Sequence, residues 1–225
     1  MRKIAIILAR SGSKGLKNKN ILLLNGKHMI GWTIEAALQS KIFERIIVST
    51  DSAEYKMISE SYGAEVIMRD EDLASDDATS FDVIEHLLKD DIKDVYDYFV
   101  LLQPTSPARD SQDICDACYL FENNFNDFDF LVSVVETSHS PELVKHIQDG
   151  SMKEFNSDFA NYRRQNDKYY SPNGGIFIGK PNEYLSQKHF FGAKSLAFKM
   201  DKLHSIDVDD WIDFKTAEVV MKEIF

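Results

Sequence analysis

Short apolar runs alternate along the chain with longer stretches in which apolar residues recur three and four positions apart. The short runs predict buried β-strands, and the longer stretches predict amphipathic helices. The predicted strands are 4–9, 45–50, 65–68, 98–103, 130–135, 175–178 and 195–200. The predicted helices are 29–40, 53–62, 79–89 and 111–123. This alternation predicts right-handed βαβ crossovers, and therefore a Rossmann-like α/β fold with a mostly parallel sheet and helices on both faces.

Polar segments follow several of the predicted strands. Open α/β sheets bind their ligands beyond the carboxyl ends of the strands, so these segments are where a binding site is expected. They cover residues 10–20, 49–51, 103–107 and 207–210.

The segment 10–20 joins the first apolar run to a loop of small residues and cations. A buried strand would there deliver its carboxyl end into a loop of free backbone N–H groups, surrounded by Arg10, Lys14, Lys17 and Lys19. Such a loop is suited to a polyanion such as a triphosphate. The alternative is a solvated basic turn after an ordinary first strand. The loop matches neither the Walker A sequence nor the Gly-x-Gly-x-x-Gly dinucleotide fingerprint.

Charge is distributed unevenly along the chain. The net charge is −11, yet the first acidic residue is Glu35, and it is preceded by Arg2, Lys3, Arg10, Lys14, Lys17, Lys19 and Lys27. A local cationic end on an acidic protein favours an anionic ligand held at one place. A nucleic acid requires a broad basic face, so no nucleic-acid partner is expected.

The length of 225 residues is that of one domain with a proper core, and we expect a single domain spanning 1–225. No apolar run approaches the roughly 20 residues of a membrane span, so no membrane partner is expected. The only cysteines are Cys115 and Cys118, which favours a reducing cytoplasm. They lie within the predicted helix 111–123 and have no second ligand pair, which favours a structural role.

The alternating pattern stops between about 139 and 172, where the sequence is polar and rich in turns. Asp149-Gly150 predicts a hairpin turn there. Such a long excursion from a compact sheet is usually functional or intersubunit. It has too little periodicity to build its own core, yet it carries many rings, namely Phe155, Phe159, Tyr162, Tyr169 and Tyr170. We therefore expect a dimerisation segment inserted at about 139–172 in a homodimer.

Two aspartates near the carboxyl terminus are spaced two residues apart. In an extended segment Asp207 and Asp209 project to the same side, while Ile206 and Val208 turn toward the core. Two such carboxylates form a hard oxygen site suited to Mg²⁺. The alternative role is to cap the following helix, which Asp210 alone can fulfil. A cationic phosphate loop together with a paired-aspartate metal site is the equipment for nucleotidyl transfer.

Several segments, in order along nearly the whole chain, resemble the CMP-sialic acid synthetases, also called acylneuraminate cytidylyltransferases. They are Leu8-Ala9-Arg10-Ser11-Gly12-Ser13-Lys14-Gly15, Lys19-Asn20, Leu73-Ala74-Ser75-Asp76, Leu101-Leu102-Gln103-Pro104-Thr105-Ser106-Pro107, Pro172-Asn173-Gly174-Gly175 and Ser205-Ile206-Asp207-Val208-Asp209. The resemblance implies a nucleotide-diphospho-sugar-transferase type of fold. It also implies an Mg²⁺-dependent enzyme that joins CTP to a nine-carbon 2-keto acid sugar and releases pyrophosphate.

The resemblance also implies roles for individual residues. The positions that hold the CTP phosphates and ribose are matched by Arg10, Ser13, Lys19 and Asn20. Arg69 and Ser80 match positions near the cytosine, Gln103 matches a sugar contact, and Asp207 and Asp209 match the metal ligands. The catalytic residues are then expected to be Arg10, Lys19, Asp207 and Asp209.

The acceptor side is less well defined by the sequence. The segment 145–163 matches one that reaches into the neighbouring subunit, and the carboxylate of the sugar needs a cation that Lys145 or Arg163 can supply. Asn173 fits either a ligand contact or a turn. Ser171 stands where many sialate enzymes have an arginine, and Arg164 stands at a commonly uncharged place. The acceptor is therefore N-acetylneuraminate or a relative such as legionaminic acid.

Two other functions remain open at this stage. A sugar-1-phosphate nucleotidyltransferase shares the α/β architecture but usually has a longer glycine-rich loop with an Arg-Leu-x-Pro-like sequence, which this chain lacks. A catalytically silent nucleotide-binding protein is disfavoured because Arg10 and the aspartate pair are both present.

Overall fold

The computed structural model describes residues 1–12, 15–74, 78–89, 92–137, 139–155 and 168–225. Its strands are β1 (Lys3–Leu8), β2 (Leu23–Leu24), β3 (Lys27–His28), β4 (Arg45–Thr50), β5 (Glu65–Met68), β6 (Tyr98–Leu102), β7 (Phe130–Glu136), β8 (Tyr170–Gly179) and β9 (Ser195–Met200). Its helices are α1 (Met29–Ser40), α2 (Ala53–Ser61), α3 (Glu71–Ala74), α4 (Ser80–Lys89), α5 (Ile92–Val95), α6 (Ser111–Asn123), α7 (Pro181–Gln187) and α8 (Trp211–Ile224). Single 3₁₀ turns cover Lys19–Ile21 and Pro141–Leu143.

The main sheet has the strand order β5-β4-β1-β6-β8-β7-β9, and β2 pairs with β3 in a separate two-stranded ribbon. All neighbours in the main sheet are parallel except β8, which runs antiparallel to both β6 and β7. The predicted mostly parallel α/β fold is thereby confirmed. The reversed strand follows the predicted excursion rather than a helix, because antiparallel neighbours need no helical crossover between them.

The sheet is buried on both faces, and β1 illustrates why its sequence is continuously apolar. Ala5 and Ile7 join a core layer with α1, α2 and α6, while Ile4 and Ile6 join the opposite layer with α4, α5 and α7. All four side chains are fully buried. Continuous apolar runs are expected of parallel strands covered on both sides.

The carboxyl-terminal helix α8 docks through a third apolar cluster. Val208, Phe214 and Met221 pack there with Leu24 of β2 and Met29 of α1. The helix begins with a reciprocal capping box, in which Asp210 accepts the amide of Asp213 and Asp213 accepts the amide of Asp210. The capping role considered for this segment therefore belongs to Asp210.

The described part of the excursion, 139–155 and 168–169, has little regular structure. Asp149 and Gly150 both have positive φ angles, 55° and 69°, and a β-bridge joins Gln148 to Ser151. These angles are those of a type I′ turn, so the predicted hairpin turn is confirmed. Val144 and Met152 expose large apolar side chains on this segment. Arg163 and Arg164 lie outside the described residues.

The two cysteines lie on α6 with free thiols. Cys118 packs in the core layer, where burial raises the pKa of its thiol to about 12. A thiol of that kind is unreactive, and the predicted structural role is confirmed for this residue. Among the described residues, every helix is too short or too polar to cross a bilayer.

A close contact between α1 and the end of α2 leads to a prediction about stability. A Cβ atom at Gly31 would lie 2.5 Å from the ring of Tyr62, whose hydroxyl is tethered by the amide of His28 at 3.2 Å. We expect Gly31→Ala to lower the free energy of unfolding by about 1–3 kcal/mol, despite its better helix propensity. Urea titration of the purified variant provides the measurement.

The control is the same substitution in a Tyr62→Ala background. With the ring removed, Gly31→Ala should be neutral or stabilising by up to ~1 kcal/mol, since only the helix propensity remains. An equal loss of stability in both backgrounds would exclude the ring contact as the cause.

Candidate active site

The carboxyl ends of β1 and β6 open into a cleft. Its larger cavity has a volume of about 570 Å³ and is lined by Leu8, Arg10, Gly15, Lys19, Asn20, Ser80, Leu101, Gln103, Pro104, Thr105 and Asp209. A second cavity of about 300 Å³ is lined by Leu8, Arg10, Arg69, Ala78, Thr79, Ser80 and Val83. Leu8, Arg10 and Ser80 belong to both, so the two cavities are adjoining parts of one cleft.

The basic loop is held in place on both sides of Arg10. The amide and hydroxyl of Ser11 each donate to Asp51 at 2.8 Å, one to each carboxylate oxygen. The side-chain amide of Asn20 donates to the carbonyl of Arg10 at 3.2 Å. The loop is thus anchored by protein groups alone. In the sequence, Asp51 stands out only as part of the polar segment 49–51. Its anchoring role was not predicted, because it depends on a contact between residues far apart in the chain.

Asn20 is buried, and its side-chain oxygen has no hydrogen-bond partner among the described residues. It also lines the larger cavity. A buried acceptor without a partner costs free energy, of the order of 1–3 kcal/mol, unless a ligand or water satisfies it. Asn20 therefore presents a hydrogen-bond acceptor suited to a ligand hydroxyl or amine. Ser13 and Lys14 of the same loop lie outside the described residues.

Arg69 follows β5 and borders the smaller cavity. Its guanidinium donates to the hydroxyl and the carbonyl of Ser49, both at 3.0 Å. Burial lowers the pKa of Arg69, while the carboxylate of Asp51 acts in the opposite direction. Ser80, the first residue of α4, lies on the same cavity. The structure thus brings together the two residues that were matched to a cytosine position.

The aspartate pair lies in an extended segment before α8. Val208 is fully buried, and its amide donates to the carbonyl of Thr105 at 2.8 Å. Val208 therefore turns inward, as the alternation predicts, and Ile206 packs against the same apolar cluster, while Asp207 is half-buried and Asp209 is exposed. Burial raises the pKa of Asp207, while a hydrogen bond with the Thr105 side chain lowers it. The nearby charge of Asp209 raises the pKa further, and Lys19 lowers it.

The basic and acidic parts of the site meet at one ion pair. The Lys19 ammonium lies 2.8 Å from a carboxylate oxygen of Asp209, although the two residues are 190 positions apart. Close by, a Cβ atom at Gly15 would come within 2.8 Å of the Asp209 carbonyl oxygen. Glycine at position 15 is therefore required for the loop to approach the carboxyl-terminal segment this closely.

An irregularity in β8 completes the other side of the cleft. The register between β7 and β8 shifts at Ser133, opposite the stretch around Gly174. Gly174 has a φ of +74°, and a Cβ atom there would lie 3.1 Å from Asp207 Oδ2 and 3.2 Å from Gln103 Oε1. The bulge thus brings Gln103, Gly174 and Asp207 together. This bulge was not predicted, although the sequence Asn173-Gly174-Gly175 is compatible with a β-bulge.

Asn173 lies behind this bulge and is buried. Its side-chain oxygen accepts from Ser133 Oγ at 2.5 Å and from the amide of Gly175 at 3.1 Å. Its side-chain nitrogen donates to Ser205 Oγ at 2.8 Å and contacts the sulfur of Met200 at 3.3 Å. Of the two roles considered for Asn173, these contacts describe the structural one.

Lys145 is exposed on the excursion and lines neither part of the cleft. Within the described chain, the predicted site residues that border the cleft are Arg10, Lys19, Asn20, Arg69, Ser80, Gln103 and Asp209. Asp207 adjoins it through Gln103 and Gly174. Ser13 and Arg163 cannot be placed because they lie outside the described residues.

The carboxylate pair fits a divalent cation. Asp207 Oδ1 is buried and has no hydrogen-bond partner among the described residues, and Asp209 adds a second hard oxygen ligand nearby. A second group within reach of one ion consists of Asp110, Asp113 and His204. Asp110 and Asp113 already form the capping box of α6, and Asp113 lies 2.9 Å from His204 Nδ1. The Asp207–Asp209 pair is the better fit to Mg²⁺ because it offers carboxylate oxygens at the cleft, whereas the second group includes an imidazole and two carboxylates that already cap α6.

A mostly parallel α/β sheet with a cationic loop and a carboxylate pair at one edge is an arrangement suited to binding a nucleotide. The profile of the family described as "Cytidylyltransferase" matches residues 4–222. The chain belongs to the cytidylyltransferase family, and the resemblance to CMP-sialic acid synthetases predicted from its motifs is confirmed.

Individual relatives carry named functions. The chain is 47% identical to an N-acylneuraminate cytidylyltransferase of Escherichia coli O18:K1:H7, over 98% of this chain and 52% of that protein. It is 37% identical to a CMP-N,N'-diacetyllegionaminic acid synthase of Legionella pneumophila, over 99% of this chain and 97% of that protein. The chain spans about half the length of the N-acylneuraminate cytidylyltransferases it matches.

The fold is shared with a solved structure of a CMP:2-keto-3-deoxy-manno-octonic acid synthetase complexed with CTP. The TM-score is 0.74, the sequence identity is 17%, and the match covers all of both chains. At that identity, the likeness concerns the fold alone.

The raised pKa of Asp207 predicts a pH-dependent effect on stability. Because its folded-state pKa lies above the unfolded value, the buried charge opposes folding at neutral pH, and this effect is lost as the pH falls through the folded pKa. We expect Asp207→Asn to melt at the same or a higher temperature than the wild type at pH 7, with the difference shrinking toward pH 4. Mg²⁺ should raise the melting temperature of the wild type more than that of the variant.

The matched control is Asp116→Asn, which removes an exposed carboxylate from α6. It should leave both the pH dependence and the Mg²⁺ response unchanged. Equal Mg²⁺ stabilisation of the Asp207→Asn variant and the wild type would contradict the assignment of the metal site.

Proposed function

We propose that this chain transfers the cytidylyl group of CTP to the anomeric hydroxyl of a nine-carbon 2-keto acid sugar and releases pyrophosphate. The acceptor is N-acetylneuraminate or a related acid such as legionaminate. The observation that carries the proposal is the meeting of a cationic loop and a carboxylate pair in one cleft, joined through Lys19 and Asp209. The named functions of the relatives support the same reaction class.

The nucleotide occupies the part of the cleft between the basic loop and Arg69. Arg10 and Lys19, with Ser13 of the same loop, bind the phosphates, and the unpaired oxygen of Asn20 accepts a hydrogen bond from a ribose hydroxyl. The smaller cavity, between Arg69 and Ser80, holds the cytosine. Phosphoryl transfer depends on positioning and charge neutralisation, so this site requires no covalent nucleophile.

Asp207 and Asp209 would hold Mg²⁺ at the meeting point of the phosphates and the acceptor. The ion supplies compensation for negative charge on the reacting phosphates. Lys19 places a second positive charge beside Asp209. Gln103 and the bulge at Gly174 face Asp207 from the acceptor side, so they orient the sugar toward the α-phosphorus.

The acceptor carboxylate requires a cation that the described cleft does not supply on this side. Lys145 lies on the excursion and away from the cleft of its own chain. We propose that Lys145 and Arg163 reach the cleft of a second copy, so that each complete acceptor site contains residues from two chains. The cytoplasm, where CTP is made, is the proposed location, which fits the free thiols of the described cysteines.

The test of the function is an assay of pyrophosphate release from CTP and Mg²⁺ with a series of acceptors. The series includes N-acetylneuraminate, a legionaminate-type acid, an eight-carbon 2-keto acid and a sugar 1-phosphate. Turnover is expected only with a nine-carbon acid, and Asp207→Asn should lose on the order of 10³-fold in rate. Turnover with the sugar 1-phosphate alone, or none with any acceptor, would overturn the proposal.

Arg10 gives a prediction specific to the nucleotide. We expect Arg10→Ala to weaken CTP binding by about ten- to a hundredfold, because it removes a charge-assisted contact worth roughly 1.5–3 kcal/mol. Isothermal titration with CTP measures this directly. The matched control is Lys17→Ala, which removes an exposed cation of the same loop that lines neither cavity. If both variants lost affinity equally, the effect would reflect general charge rather than a defined contact.

If each acceptor site contains residues from two chains, dimers that mix two different variants should recover activity. Arg10→Ala and Arg163→Ala chains should each be nearly inactive alone, since each has one defect in every site. Coexpressed at equal levels, they should recover about a quarter of wild-type activity, because half of the dimers then contain one intact composite site. Light scattering should give a dimer. A fully active monomer, or no recovery in verified mixed dimers, would contradict the proposal.

A further inference from the structure

A buried arginine behind the cleft is not assigned to any substrate contact. Arg109 is 1% exposed and follows the 103–107 segment. Its Nη1 donates to the carbonyl of Gly175 at 2.9 Å and lies 3.4 Å from the carbonyl of Gln103. Nε and Nη2 have no hydrogen-bond partner among the described residues. Burial lowers the pKa of Arg109 to about 10, so the side chain remains charged at neutral pH.

A charge in this position is unfavourable for stability alone. Removing a guanidinium from water costs several kcal/mol, and well-packed apolar side chains often serve a core as well or better. The carboxylates near enough to favour the charge are Asp113 and Asp110, at the start of α6. The contacts of Arg109 are with the backbone on either side of the acceptor part of the cleft, namely at Gln103 and at the β8 bulge.

Asp113 also lies beside the turn that precedes the aspartate pair. Asp113 Oδ2 lies 2.9 Å from His204 Nδ1. His204 belongs to a turn in which Asp201 Oδ1 accepts the amides of Leu203 and His204, at 2.8 and 3.0 Å. This turn leads directly into the segment that carries Asp207. Arg109 thus contacts two of the places that meet at the acceptor side, and the Asp113–His204 pair borders the third, with Asp113 near enough to favour the charge of Arg109.

The nucleotide side of the cleft has its own separate anchors. Asp51 holds the basic loop through Ser11, and Ser49 holds Arg69. Arg109, Asp113 and His204 make none of the contacts described above with these anchors of the nucleotide side, which are Ser11, Ser49, Asp51 and Arg69. A change at Arg109 should therefore disturb the two sides of the cleft unequally.

We propose that Arg109, Asp113 and His204 are positioning residues for the acceptor, which set Gln103, Gly174 and Asp207 relative to one another. The inference rests on the proposed cytidylyl transfer. Arg109 holds the carbonyls on both sides of the cleft, and His204 ties the turn before Asp207 to α6. Misplacing a reacting group by about 1 Å costs on the order of 10²-fold in rate.

The experiment compares Arg109→Lys with Arg45→Lys. Arg45 forms an exposed ion pair with Glu65, so its replacement tests the loss of a guanidinium without the buried contacts. Steady-state kinetics with the best nine-carbon acid should show kcat/KM for the acid lower by on the order of 10²-fold in Arg109→Lys. The dissociation constant of CTP, measured by titration, should stay within about threefold of the wild type. Arg45→Lys should match the wild type in both measurements.

A second pair of variants tests His204, whose side chain is half-buried. Asn at position 204 keeps a nitrogen donor near the position of Nδ1, whereas Leu keeps only bulk. His204→Asn should retain most of the acceptor kcat/KM, and His204→Leu should lose it while binding CTP normally. Because His204 is partly exposed, both variants should fold even if Arg109→Lys does not.

The outcomes separate this inference from the proposed function. A wild type that releases no pyrophosphate with any acid refutes the function itself. An active wild type whose Arg109→Lys variant loses CTP affinity and acceptor kcat/KM to the same extent would make Arg109 a general structural residue. Equal activity of His204→Asn and His204→Leu would likewise overturn the positioning role.

Discussion

The burial of β1 on both faces is the constraint on which the site depends. Neighbouring strands β4 and β6 run parallel to β1, and core layers cover both of its sides. At its carboxyl end the chain leaves these two layers, and the polar residues that line the cleft follow there. The loop after β1, the residues after β4 and the segment after β6 thus converge at one edge. Asp51 and Gln103 owe their positions to this arrangement.

The two sides of the cleft differ in the sign and the burial of their charged side chains. The side of the basic loop carries cations close to solvent, anchored by neutral groups and by Asp51. The acceptor side carries carboxylates, and its structural cation, Arg109, is withdrawn into the core. Lys19 and Asp209 join the two sides, so the charges of an acidic protein are balanced locally where an anionic ligand would enter.

Much of this arrangement can be read from the sequence because local periodicity determines it. The apolar runs around Ile6 and Val100 predicted strands close to their observed bounds, and the alternation correctly predicted that Val208 is buried. The reversed direction of β8 was not predicted, since strand direction leaves no periodic signal. The bulge at Gly174 and the buried charge of Arg109 were also missed, because both depend on contacts between residues far apart in the chain.

The contact of Lys19 with Asp209 joins residues 190 positions apart, and this separation has a consequence for biosynthesis. On the ribosome, β1, β4 and the basic loop emerge early, whereas the aspartate pair emerges after the last strand of the sheet. A nascent chain interrupted between β9 and Asp207 would contain all seven strands of the main sheet, yet lack both carboxylates of the pair. Such incomplete products would lack the ion pair that joins the basic loop to the carboxyl-terminal segment, however well their sheet had formed.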